Sequence, residues 1–538
     1  MTTTSDIIGK RLYDAGCRHA FGIPGGEVLS LMEGLENAGI QFHLVKHENS
    51  GGFMAEGTYH ATGAPGILLA TVGPGVVNAV NVIANAWQDQ VPMVFLTGCV
   101  DAAEAETYTH QVFDHTEVIA PICKRSMTVA DGAVDVMIDK AIALAMQDPP
   151  GPVHLDVPIN IAGTEAKVTG YPGRAAMSNT APAPGPDLDR ARAAIAGAER
   201  PLMICGVDVL HHDAADVVDE AAHRLGIPVL TSYKAKGVIA EDDPLALGGH
   251  GLSPKSYKAL KPMIDEADVI LLAGYDPIEM RIDWRNAWPT GVAGKTVIEV
   301  AGHPNTHYVH HADLSFVCNV GEGIKALTGG LNGKQTWPGD GIAKMQAILK
   351  DAFPRDEAWG PAAVIDAART AFPKHGFAAV DTGAHRILLS QQWDCYSPRT
   401  LAQSTGLCTM GCALPIVMGH KLANPDTPVI AFTGDGGMEM ILGELATLRD
   451  MKLPVVIVVF VDESLALIEL KQRANKQDNL GVDFGGTDFA KLADVMGGIG
   501  VTATDRDTLE NAITDGLNAD TFTLIACPIG RKAYDGRF

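Results

Sequence analysis

An α/β protein of three doubly wound, parallel-sheet domains is what this sequence predicts, and three observations predict it. Short runs dense in β-branched and apolar residues alternate with stretches of helical period along the chain. Two stretches of low periodicity, Gly170–Asp187 and Asn332–Gly341, read as linkers and cut that alternation into three blocks. A chain of 538 residues also suits three domains of ordinary size. The expected boundaries are 1–169, 188–331 and 353–538.

The first block opens with a helical run, Ile7–Ala15, stopped by Gly16. His19–Gly22 is a short strand entering the turn Ile23-Pro24-Gly25-Gly26. Strand Phe42–Val45 ends at Lys46-His47-Glu48-Asn49, and a helix from Gly51 to Thr62 follows. An acid placed as Glu48 is, between strand and helix, is also what caps a helix N-terminus. Strand Gly66–Thr71 leads into the tight turn Gly73-Pro74-Gly75, and Val91–Thr97 and Val153–Val157 continue the alternation.

The second block predicts strands at Leu202–Cys205, Pro228–Thr231, Val269–Leu272 and Thr296–Val300. Its turn Gly274-Tyr275-Asp276-Pro277 falls at a strand end, where doubly wound sheets bind ligands. No GxGxxG with a following acid occurs there, so a dinucleotide-dependent oxidoreductase is the weaker reading.

In the third block the strand pattern Val429–Phe432 precedes Gly434-Asp435-Gly436-Gly437, small residues that let backbone N–H groups approach a phosphate. Ile441, Leu442, Leu445, Ala446 and Leu448 then recur at helical spacing; Pro454 follows, and Val455–Val461 has the β-branched density of a buried parallel strand. Such a unit sets the C-terminal ends of neighbouring strands side by side, so Asp435 and Asp462, 27 residues apart, can converge on one cation. The first of those ends meets a helix N-terminus, which favours anions. Carboxylates completed by water and phosphate oxygens suit Mg²⁺. GDG by itself is equally an ordinary strand–helix turn.

A formal charge of −23 argues against nucleic acid or an anionic membrane as partner. Nine cysteines without disulfide-like spacing fit a reducing compartment, and Cys408 and Cys412, lacking a second ligand pair, read as core. The opening MTTTSDIIGK carries no apolar signal region, and no run approaches the roughly 20 apolar residues of a membrane span. A cytoplasmic protein is expected.

The spacing from Asp435 to Asp462 resembles the thiamin diphosphate motif, GDG followed at a distance by an Asn pair, with Val461 and Asp462 standing at the pair. An Asn-Asp pair occurs there in the FAD-independent catabolic acetolactate synthases. Along nearly its full length the chain resembles the thiamin diphosphate-dependent acetolactate synthase and decarboxylase family. That resemblance implies pyrimidine-binding, central and diphosphate-binding domains in order, with thiamin diphosphate and Mg²⁺ as cofactors. Asp435, Asp462 and the Ser464 carbonyl would ligate the metal. Glu48 would hydrogen-bond N1′ of the aminopyrimidine and activate the coenzyme; alone it could simply be a cap.

Met410 matches the bulky residue under the cofactor's bend, and is otherwise core. Asp381-Thr382-Gly383-Ala384-His385 resembles the turn at the diphosphate, with His385 donating to a phosphate oxygen. His110-Gln111 and Lys124 resemble an active-site segment of acetolactate synthases, Gln111 donating to a reacting group and Lys124 holding a carboxylate; each is otherwise a surface polar group. Gly25 and Gly26 match the loop whose N–H lies near the reacting carbonyl.

Gly274–Glu279 resembles the middle-domain turn of the catabolic enzymes, so FAD is not expected, and Val482-Asp483-Phe484-Gly485 resembles a segment found across acetolactate synthases. The match thins at Leu465–Lys471, where Leu465, Leu467 and Lys471 replace the usual aromatic, Met and Gln. With Ile468 these residues are expected over the thiazolium. His211-His212 lies in the middle block, away from the place of a pyruvate-decarboxylase-type His pair.

The implied activity is decarboxylation of a 2-oxo acid, pyruvate in particular, with carboligation to a second carbonyl. The implied assembly is a homodimer, or a tetramer of paired dimers, in which Glu48 of one subunit meets the diphosphate motif of another. One rival keeps the cofactor and releases an aldehyde, as a decarboxylase or lyase does. Another, motivated by Val461-Asp462, is a non-catalytic thiamin diphosphate-binding regulatory protein.

Overall fold

Fully buried apolar strands organise the chain, as they must where helices cover both faces of a parallel sheet. The computed structural model describes residues 2–173, 177–280, 284–285, 287–288 and 294–538. The first sheet holds β1 (His19–Ile23), β2 (Gln41–Leu44), β3 (Gly66–Ala70), β4 (Met93–Cys99), β5 (Arg125–Thr128) and β6 (Pro152–Pro158), ordered β2-β1-β3-β4-β6-β5. The second holds β7 (Pro201–Cys205), β8 (Val229–Ser232), β9 (Ala246–His250), β10 (Val269–Ala273), β11 (Thr296–Ala301) and β12 (Leu314–Val317), ordered β12-β11-β10-β7-β8-β9. The third holds β13 (Phe377–Val380), β14 (Leu401–Gln403), β15 (Val429–Gly434), β16 (Val456–Val461), β17 (Ile499–Thr502) and β18 (Thr523–Pro528), ordered β14-β13-β15-β16-β18-β17. Pairing is parallel in all three sheets, for example Phe21 with Leu68, Leu271 with Met203 and Phe432 with Val458.

The first and third sheets thus repeat one strand order. The middle sheet has the dinucleotide-fold order, whose switch point lies between β7 and β10. The turn at Gly274 falls at that point, as expected for a strand end. A Cβ on Gly206 would lie 2.4 Å from the Gly274 carbonyl oxygen, so the chain passes very close to itself there.

Two of the helices that flank the site differ from expectation. The helix placed at Gly51 starts at Glu48, because the Asn49 N–H is capped by the His47 ring at 3.1 Å. The helix expected from Ile441 begins at Glu444 and runs to Met451, and a separate short helix, Asp435–Glu439, forms on the glycine-rich turn before it. The break brings Gly443 against the first block, where a Cβ would lie 3.2 Å from Lys46 Cβ, and the Lys46 N–H donates to Glu444 at 3.1 Å.

The outer sheets share one core, in which Phe53 and Met54 pack with Ile416 and Val417. The helices Glu48–Thr62 and Ala413–Ala423 cross at glycines: a Cβ on Gly57 would fall 2.0 Å from the Ile416 carbonyl oxygen, and one on Gly419 1.9 Å from that of Met54. Beside this crossing Asp89 accepts the N–H groups of Thr405 and Gly406, the latter at 2.8 Å, and the Thr405 hydroxyl at 2.6 Å. Among the described residues no helix is long and apolar enough to cross a membrane.

Candidate active site

Strands β15 and β16 are neighbours, with Gly434 opposite Phe460, so the residues that follow them meet at one sheet edge. Asp435 accepts the backbone N–H of Asp462 at 3.0 Å and of Glu463 at 2.7 Å on one oxygen, and that of Gly436 at 2.9 Å on the other. Both carboxylates are buried. Burial raises the pKa of each, and for Asp462 burial and the Asp435 charge together push it up to about 7. Two carboxyl groups held this way suit a cation that relieves their repulsion. The Ser464 N–H donates to Asp462 at 3.1 Å and its hydroxyl to Asp483 at 2.8 Å, which fixes the third position of the set.

These residues border a cleft of about 120 Å³. Gly434, Gly436, Gly437, Gly383, His385 and Met410 line it, and Leu465, Leu467 and Ile468 form another part of its wall. Thr382, within the turn expected at the diphosphate, lines it as well, as do Phe460, Ala466 and Tyr534, to which the sequence assigns no role. Two helix N-termini, at Gly383 and Gly434, open at the cleft. His385 Nε2, Thr382 Oγ1 and Tyr534 OH are all buried there without a hydrogen-bond partner. Buried polar groups are normally paired, so three orphans around one cleft mark a place built for a polar ligand. Burial holds the His385 imidazole neutral, with its pKa lowered to about 3, and its ring stacks on Phe460 with centroids 5.4 Å apart.

Asp381 departs from its expected place. It is fully buried and turned into the protein, accepting N–H groups from Thr382 (2.8 Å), Gly411 (2.8 Å) and Cys412 (3.2 Å) and the Thr433 hydroxyl (3.0 Å). Its lone pairs are spent on the loops that carry His385 and Met410, so it shapes the cleft from behind.

A second group gathers at the C-terminal edge of the first sheet. Gly25 and Gly26 follow β1, Glu48 follows β2 and Gly73 follows β3. Glu48 is 3% exposed and accepts from the Asn78 amide at 3.0 Å. Gln111 comes to this edge: a Cβ on Gly73 would lie 2.8 Å from Gln111 Cβ. Behind the turn, His115 accepts the Gly73 N–H at 3.3 Å and donates to Asp156 at 3.1 Å, a pair the sequence reading overlooked. His110 is exposed beside Tyr108. Lys124 is not gathered with them. It precedes β5, at the opposite end of the sheet, and its ammonium donates to the backbone carbonyls of Gln147 and Pro149, the latter at 2.7 Å.

The cleft beside Asp435 is lined wholly by residues between Thr382 and Tyr534. Within one chain, then, Glu48 and that cleft are distinct features.

A parallel three-sheet protein with a GDG turn, buried carboxylates and orphaned polar groups at one strand edge has the form of a phosphorylated-cofactor enzyme. Comparison with known families agrees. Residues 2–118 match "Thiamine pyrophosphate enzyme, N-terminal TPP binding domain", residues 188–327 its central domain, and residues 381–527 its C-terminal TPP binding domain. The chain is 30% identical over 563 residues to the acetolactate synthase large subunit of Parasynechococcus marenigrum, covering 97% of this chain and 87% of that one. It is 26% identical over 540 residues to an acetolactate synthase of Bacillus subtilis, covering 98% and 93%. It is also 26% identical over 537 residues to a probable 2-ketoarginine decarboxylase of Pseudomonas aeruginosa, covering 97% and 93%. The chain belongs to the acetolactate synthase-like family of thiamin diphosphate-dependent enzymes.

Proposed function

We propose that the chain is a thiamin diphosphate- and Mg²⁺-dependent enzyme that decarboxylates a 2-oxo acid, pyruvate first, and joins the remaining acyl carbon to a second carbonyl. The observation that carries this reading is the set of buried, unpartnered polar groups around the cleft beside Asp435 and Asp462. The donor set fits the coenzyme's metal diphosphate: two carboxylates and a backbone carbonyl at Ser464 for the ion, the His385 ring and Thr382 hydroxyl for phosphate oxygens. When bound, thiamin diphosphate supplies a carbon nucleophile and an electron sink for loss of CO₂.

The chain's own residues do the rest. Glu48 holds the proton at N1′ of the pyrimidine, steadied by Asn78, and Met410 supports the bend between the coenzyme's rings. Gln111 and the Gly25-Gly26 loop face the substrate carbonyl. Leu465, Leu467 and Ile468 keep water from the thiazolium. His110 is a further candidate at the substrate, whereas the ties of Lys124 to carbonyl groups speak against its holding a carboxylate. Glu48 and the cleft act together in a homodimer or paired dimers, Glu48 of one subunit closing the cleft of another. The domain division of this reading is 1–169, 188–331 and 353–538, FAD is not part of it, and nine free cysteines favour a cytoplasmic protein.

The test is product analysis after feeding pyruvate with Mg²⁺ and thiamin diphosphate. Acetolactate supports the proposal; acetaldehyde without acetolactate refutes the carboligase reading. A second reading, an aldehyde-releasing decarboxylase of a larger 2-oxo acid, is favoured by the decarboxylase relative and by Leu465, Leu467 and Lys471 in the covering stretch. A panel of 2-oxo acids separates the two.

A further inference from the structure

Beyond β18 the last residues of the chain fold back over the third sheet. Arg531 donates to Asp483 at 2.8 Å. Asp535 takes a two-pronged ion pair from Arg473, at 2.7 and 2.6 Å, and Arg473 sits on the helix Ala466–Ala474 whose start walls the cleft. Arg537 pairs with Glu357, and Phe538 packs against the sheet's core. Tyr534, between these anchors, is only 3% exposed and lines the cleft together with Asp435 and Asp462. Its hydroxyl has no partner in the protein. A phenol keeps its proton near neutral pH and is therefore a donor.

We infer that Tyr534 is a cofactor-holding residue: its phenolic O–H donates to the terminal phosphate of the bound diphosphate, and the Arg531–Phe538 tail is the strap that carries it there. The inference rests on the cofactor reading above. It adds a ligand from outside the GDG motif, delivered by a segment pinned to the covering helix through Arg473 and Asp535. An ordinary core tyrosine would have its hydroxyl satisfied by the protein or reaching solvent. This one has neither, and it shares its cleft with the orphaned His385 ring and Thr382 hydroxyl.

The test compares full-length wild type with Tyr534→Phe, in saturating Mg²⁺, by calorimetric titration with thiamin diphosphate and separately with thiamin monophosphate. Tyr534→Phe is expected to weaken the diphosphate about tenfold and leave the monophosphate unchanged. Its cofactor-free melting temperature should hold or rise, since the change removes an unpaired buried hydroxyl. Asp535→Asn, which loosens the strap and spares the phenol, should weaken the diphosphate in the same direction. Equal weakening of both ligands, unchanged binding of both, or a lower cofactor-free melting temperature without loss of affinity would each overturn the inference. If wild type itself bound no thiamin diphosphate, the cofactor reading would fall, a result distinct from all of these.

Discussion

Gly436 and Gly437 are adjacent in sequence, yet an added methyl group should have opposite consequences at the two positions. At Gly436 a Cβ would meet Leu465 Cδ2 at 3.2 Å, Phe484 Cζ at 3.5 Å and Met410 Cε at 3.6 Å, all ends of side chains that can give way. Leu465 and Met410 line the cleft, so the methyl would enter the space meant for the coenzyme. At Gly437 a Cβ would fall 2.1 Å from Asp381 Oδ2 and 2.9 Å from Thr433 Oγ1, inside the buried network that holds the loops. Gly436→Ala should therefore leave the cofactor-free protein intact and weaken thiamin diphosphate by 10- to 100-fold, about 1.4–2.8 kcal/mol. Gly437→Ala should break at least one buried hydrogen bond to a charged group, costing about 1.5–3 kcal/mol before any coenzyme is added. At roughly 2–4 °C per kcal/mol, that is a visible fall in melting temperature. Paired measurements of cofactor-free melting and fluorescence-monitored cofactor titration decide the matter. If Gly436→Ala bound the coenzyme normally, or melted as low as Gly437→Ala, the glycine turn would be structural and no cradle.

Glu48→Gln should retain coenzyme affinity within a few-fold and lose C2 hydrogen–deuterium exchange by at least about 100-fold; exchange at the wild-type rate, followed by NMR, would remove Glu48 from activation. Asp462→Ala should leave Asp435 alone beside the ion and raise the Mg²⁺ concentration for half-maximal activity about tenfold or more; an unchanged Mg²⁺ titration counts against a metal role. Glu56, buried 3.3 Å from the His60 ring, has its pKa pushed up to about 8 by burial and by Asp89, against an unfolded value of 4.5. Between those values the native state alone keeps the proton, so stability falls as pH rises, by about 1.4 kcal/mol per unit. Glu56→Gln lacks that slope and should melt near wild type at pH 5 but above it at pH 8.5, whereas parallel melting curves would refute the assignment. Mixing chains carrying Glu48→Gln with chains carrying Asp435→Asn should restore activity through the one unaltered site of each mixed dimer; no recovery after refolding together would argue for sites built within single chains.

Long β-branched runs are the most legible part of the fold in the sequence. β16 is a run of valine, isoleucine and phenylalanine buried on both faces, and it was found to within a residue. The edge strands β5 and β17, with exposed residues such as Arg125 and Ile499, do not stand out, and neither do the inner strands β13 and β18, short runs that mix alanine, cysteine or threonine with few β-branched apolar residues. In the cleft, glycine and carboxylate spacing reveals what the backbone can approach, so Gly434–Gly437 and Asp462 were readable. Asp381 was not, since a sequence records an acid and not the four donors that turn it inward. Tyr534 gave no signal at all: it comes from a tail with no periodicity, and only folding carries it back. His115 and Asp156 were likewise hidden, each an ordinary polar residue until β6 brings them together.

The crossing of bare backbones at Gly57 and Gly419 has a mechanical consequence. At those two points backbone meets backbone with no side chain between, so there is no rotamer there to change, and the packing of Phe53 and Met54 on Ile416 and Val417 beside them joins the opening and closing sheets into one body. A single methyl at position 57 or 419 would wedge the body apart from within.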